Sequence, residues 1–206
     1  MYRLNWTNAV TQMKQMKHYF IACALVFTAG ILMGALYSEQ FHTFIDAQME
    51  ALKQIVNSVE GKEKPQWTLF WIIFWNNASK SLLIIALGIF FGFIPLFFLM
   101  ANGLLLGYVC AVSAKSTSLL FVLKSIVPHG ILEIPAIVFA SAFGLRLGFL
   151  VLKLMVSIIN PERIAKGREN LRLFIKSLVP ISCLLVAALL IAAVIESTLT
   201  FWLARG

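Results

Sequence analysis

"NNASKSLLIIALGIFFGFIPLFFLMANGLLLGYV", Asn76 to Val109, is the stretch that decides the fold. It lies inside an apolar block that runs almost unbroken from Trp67 to Ala114. One membrane crossing takes roughly 20 mostly apolar residues, so the block is long enough for two. "FGFIP", Phe91 to Pro95, supplies the Gly and Pro at which the chain turns between them. Trp67, Trp71 and Trp75 recur every four residues on one helical face, the pattern of an aromatic belt at the outer headgroup level. Spans two and three are therefore expected over 77–93 and 95–114.

The rest of the chain has the same character. Of its 206 residues 60% are hydrophobic and 13% charged, where a soluble domain carries about 25% charged residues. The sequence reads as one integral membrane domain, 1–206, an all-α polytopic bundle of about five transmembrane helices with no room for a separate soluble catalytic domain. In such a protein a net charge of +8 reports topology and anionic headgroups, and no nucleic-acid partner is expected. Cys23, Cys110 and Cys183 fall in three different hydrophobic runs and read as small apolar residues, not as a disulfide or thiolate framework.

Span one is expected over 19–37. Its apolar run is too long for a signal-peptide core and "GALYSEQ" lacks a small-x-small cleavage pattern, so it reads as uncleaved. An outer loop, 38–66, follows with five acids against three lysines. Within it Phe41, Phe44, Ile45, Met49, Leu52 and Ile55 stand near helical spacing, which predicts an extracytoplasmic amphipathic helix. Pro128 suits the first turn of a helix, which sets span four at 128–150. Whether residues 118–127 before it are re-entrant is left open. From Lys153 to Lys176 six bases face two acids, so 151–177 reads as a cytoplasmic basic loop. Span five, 178–203, then places the N-terminus inside and the C-terminus outside a cytoplasmic membrane.

Eight of the twelve glycines form four G-x-x-x-G pairs, each in a different span: Gly30 with Gly34, Gly88 with Gly92, Gly103 with Gly107, and Gly144 with Gly148. That spacing lets helix backbones approach closely, within one chain or between copies in a homo-oligomer.

Four charges stay inside spans: Lys80, Glu133, Arg146 and Glu196. Arg146, near the cytoplasmic end of span four, is expected to snorkel to headgroups. His129 and Glu133 share a helical face in "VPHGILEIPA". Glu196 stands about 28 Å along span five, near the outer side. With Asn76, Asn77 and Lys80 in span two and Asn102 in span three, these define a candidate intramembrane polar cluster in the outer half of the bundle. Three readings of it are open: hydrogen-bonded glue between helices, an ion- or headgroup-binding cavity, and a zinc site on His129, Glu133 and Glu196 with a water in the fourth position. No cofactor is expected under the first reading. No catalytic residue is assigned, since phosphate-cradling glycine loops, nucleophile elbows and HExxH are all missing from the sequence.

The Asn76–Val109 stretch, "PHGILEIPAIVFASAFGLRLG" and "AAVIEST" together resemble the stage II sporulation protein M family, across nearly the whole chain. The most specific positions are Pro128, His129, Gly130, Glu133, Pro135 and Gly144 to Gly148. The resemblance implies a bacterial membrane scaffold that recruits or organises peptidoglycan-degrading enzymes during forespore engulfment, with those hydrolases as partners. Two alternatives stand beside it. One is a small transporter or lipid-handling protein working through His129, Glu133 and Glu196; the other is an intramembrane metallohydrolase.

Overall fold

The computed structural model describes residues 6–47, 50, 54, 65–116, 119–159 and 161–203, and the backbone of these residues is almost entirely helical. The helices are α1 (Trp6–Lys14), α2 (Lys17–Leu36), α3 (Pro65–Leu87), α4 (Phe93–Ser116), α5 (Leu119–Val156) and α6 (Pro161–Leu203). Five segments of α2 to α6 are long and apolar enough to cross a membrane: Lys17–Leu36, Gln66–Leu87, Phe93–Val112, Glu133–Val156 and Glu162–Thr198. The chain is an all-α membrane bundle.

Several boundaries differ from those expected. Helix α3 starts at Pro65 rather than near Asn77, because proline already carries the helical φ and its missing N–H has no partner to lose at a helix start. Helix α5 starts at Leu119, so Pro128 lies inside it, and residues 119–127 run into the span as continuous helix. The expected basic loop, 151–177, is helical for most of its length. Helix α5 continues to Val156, a short 3-10 turn covers Ser157–Ile159, and α6 begins at Pro161. A proline at the first position followed by Glu162 favours that helix start, as an anionic side chain does beside the positive end of the helix dipole. Of the predicted amphipathic helix, Phe41 ends a 3-10 turn, Ser38–Phe41, and 42–47, 50 and 54 are helical, with Ile45 buried; the rest lies outside the described residues.

The glycines sit where helices come closest. A Cβ placed on Gly30 would lie 2.7 Å from the Met100 carbonyl oxygen, and one on Gly34 would overlap that of Leu104. Reciprocally, a Cβ on Gly103 would lie 2.5 Å from the Phe27 carbonyl oxygen, and one on Gly107 would overlap that of Ile31. Positions ascend together on both helices, so α2 and α4 run parallel. A Cβ on Gly88 would overlap the Gly144 carbonyl and one on Gly148 the backbone nitrogen of Gly92, which makes α3 and α5 a second parallel pair. The α3–α4 turn passes through Phe91 (φ 56°) and Gly92 (φ 79°), and at Gly92 an added side chain would meet both that left-handed backbone and Leu145.

Helix α6 returns antiparallel to α5. Phe143 stacks on Phe174 with ring centroids 6.0 Å apart, and both are fully buried. Helix α1 lies on this last helix, with Ala9 buried, Met16 buried just after its end, and Asn8 Nδ2 donating to the Leu173 carbonyl at 3.0 Å.

Candidate functional site

The buried stripe of α3 reads Asn77, Ser81, Ile84 and Gly88, and that of α6 reads Phe174, Ser177, Ile181, Leu185, Leu189, Ala192 and Glu196. Steps of three and four residues place the polar members on the core-facing side because they continue the apolar row. Asn77 is 9% exposed and Glu196 7%, with Ser197 beside it also buried. Asn76 Nδ2 donates to Asn77 Oδ1 at 3.5 Å. Lys80, on the other side of α3, is exposed, and Glu133 is half-buried.

Height along the helices separates these groups. Asn77 and Glu133 each stand eleven residues before a member of the Gly88–Gly144 contact, so on these parallel helices both lie about 16 Å above it. Glu133 precedes Phe143 by ten residues and Glu196 follows Phe174 by twenty-two, which puts Glu196 about 18 Å further along the bundle than Glu133. Asn77 and Glu133 therefore share a level, and Glu196 occupies another.

Asn102 does not reach across helices with its amide nitrogen: Nδ2 donates to the Phe98 carbonyl of its own helix at 2.7 Å. The backbone of His129 is helical, and its side chain lies outside what is described. Among the described residues no three His, Cys, Asp or Glu side chains come together as metal ligands.

Arg146 departs from expectation. Instead of snorkelling, its side chain is held in the interior at 8% exposure. Nη1 donates to the Gln12 carbonyl at 2.6 Å, Nη2 donates to Gln12 Oε1 and, at 3.0 Å, to Gln15 Oε1, and the guanidinium stands 4.9 Å from the Phe174 ring centroid. The reason is the N-terminal segment, which packs on α6 and brings Gln12 and Gln15 over Arg146. The planar fork of donors suits this use, since it spreads one cation over several neutral oxygens and an aromatic face. The only sequence signal was the i, i+3 spacing of Gln12 and Gln15 opposite a lone span arginine.

These features define a polytopic helical membrane protein with buried polar side chains in its spans. The family model for stage II sporulation protein M matches residues 23–201, and the chain belongs to that family. It is 28% identical over 130 residues to an uncharacterised protein of Methanocaldococcus jannaschii, a match covering 63% of this chain and 55% of that protein. The chain thus spans little more than half the length of that curated relative. No solved structure matches it.

Proposed function

We propose that the protein is a membrane scaffold that recruits or organises peptidoglycan-degrading enzymes, the role that its family's sporulation members imply in forespore engulfment. The observation that carries this reading is the family match over 23–201, which takes in four of the five candidate spans whole and most of the first. The structure adds physical support. Backbones touch at four glycine pairs, and the described hydrogen bonds of Asn102 and Ser79 end on carbonyls of their own helices. Such close packing suits a platform.

In this reading the glycine pairs hold the bundle together, since lipid supplies no hydrophobic drive for helix association. The basic hairpin of α5 and α6 lies with the N-terminus on the cytoplasmic side of a bacterial cytoplasmic membrane. The segment between α2 and α3 and the exposed Trp67, Trp71 and Trp75 then face outward, where wall hydrolases work.

A second reading has one observation in its favour: Asn77 and Glu196 are buried inside candidate spans. An ionisable residue in a membrane helix is a candidate for ion or proton exchange, which a transporter or lipid-handling protein would use. Complementation with His129→Ala, Glu133→Gln and Glu196→Gln separates the two. The scaffold reading expects any loss of function to track loss of membrane abundance and of co-purifying hydrolase. A variant that accumulates normally, keeps its hydrolase and is inactive overturns it in favour of exchange.

A further inference from the structure

The turn between α5 and α6 encloses a cleft of about 640 Å³. Phe149, Leu152, Lys153 and Val156 line it from α5, and Arg163, Lys166, Gly167 and Asn170 from α6. On each arm the four positions follow i, i+3, i+4, i+7 spacing, so each presents one continuous helical face to the cleft. In a closed helical hairpin those two faces would meet and exclude water. Here they stand apart, leaving Phe149 54% and Val156 75% exposed. Gly167 keeps that arm slim: Leu154 Cδ1, at 3.2 Å, is the nearest atom to a Cβ placed there.

The lining divides by chemistry. Phe149, Leu152 and Val156 continue the apolar surface of the candidate span Glu133–Val156. Lys153, Arg163 and Lys166 gather at its end, while Glu162 and Glu169 of the same arm do not line the cleft. Apolar depth beside three cations, at the end of a membrane span, matches an acyl chain beside a phosphate. A soluble anion would leave the apolar walls bare, and a net-neutral zwitterionic headgroup would offset less of the charge of Lys153 and Lys166.

We infer that this cleft binds the phosphate of an anionic membrane lipid, with Lys153 and Lys166 on the headgroup and Phe149, Leu152 and Val156 against the acyl chain. The inference requires only that the chain is a membrane protein, so it stands or falls independently of the scaffold reading.

The full-length protein, purified in detergent, is titrated with phosphatidylglycerol or phosphatidylcholine and the bound lipid counted by native mass spectrometry. The expected result is one lipid retained with a preference of about thirtyfold for phosphatidylglycerol, the scale set by two basic residues at a membrane surface. Lys153→Gln with Lys166→Gln abolishes that preference, Lys153→Arg with Lys166→Arg keeps it, and Arg168→Gln with Arg172→Gln, equal in charge removed but off the cleft, also keeps it. If the double glutamine variant does not fold, each single glutamine variant is expected to lose part of the preference. Equal retention of both lipids by the unaltered protein overturns the inference. So does equal loss in the cleft and off-cleft variants, which marks diffuse attraction, and so does full displacement by inorganic phosphate at millimolar concentration, which marks a soluble ligand.

Discussion

Arg146 shows what a single residue contributes when its surroundings are made by a distant part of the chain. Its three described hydrogen bonds all end on Gln12 or Gln15, so one side chain joins the fourth candidate span to the N-terminal helix. Removing it deletes hydrogen bonds from a charged group to the half-buried Gln12 and the exposed Gln15, each contributing up to about 1.5–3 kcal/mol. Arg146→Met is therefore expected to release α1 and speed trypsin cleavage at Lys14 and Lys17, while the spans stay inserted. Gln12→Ala should do the same more weakly, since the Gln12 main-chain carbonyl still accepts. Unchanged cleavage in both variants would mean that α1 is held by Ala9, Met16 and the Asn8–Leu173 bond alone. The sequence exposed the charge but not its fate. A lone arginine near a span end reads as a headgroup contact until the helix covering it is known.

Among the helices, the glycine pairs had a legible face and an illegible partner. The spacing marks the side of each helix that admits another backbone, but nothing in it specifies that Gly30 and Gly34 meet Gly103 and Gly107 rather than Gly144 and Gly148. The prolines were partly legible. Those at 65 and 161 open helices, whereas Pro128 stands inside one, because a residue that suits a first turn is also tolerated within a span whose neighbours satisfy the freed backbone. If the glycine contacts hold the bundle, Gly88→Ala and Gly107→Ala should each lower stability by about 3 kcal/mol, the upper range for forcing extra volume into a packed interface. Thermal unfolding in detergent reads the loss. Gly167→Ala is the contrast: its nearest neighbour is the movable end of Leu154, and alanine is favoured over glycine in a helix interior by about 1 kcal/mol. It should be neutral or stabilising. Equal damage at all three sites would remove the special standing of the paired glycines.

For the whole molecule, five crossings were readable from apolar runs alone, because burying backbone polar groups in lipid demands long uninterrupted helices. The polar residues were readable as exceptions to those runs, yet their heights were not. Glu133 and Glu196 looked level when span four was started at Pro128, and the register through Phe143 and Phe174 separates them. The proposed orientation is read from charge and has a direct check. In a background with Cys23, Cys110 and Cys183 replaced by alanine, a membrane-impermeant maleimide added to intact cells should label Glu39→Cys, and should label Ile158→Cys only after permeabilisation. The reverse pattern would invert the bundle and move the basic hairpin to the outer surface.

The two parallel pairs also set an order of events in biosynthesis. Helix α2 closes on α4, and α3 on α5, so each partner is separated from the other by one span in the order of synthesis. Neighbours in sequence do not complete each other. A chain halted after α3 would hold two inserted helices with both glycine faces bare. The arrival of α4 is the step at which independent helices become a protein, and α5 then completes the second pair around the first.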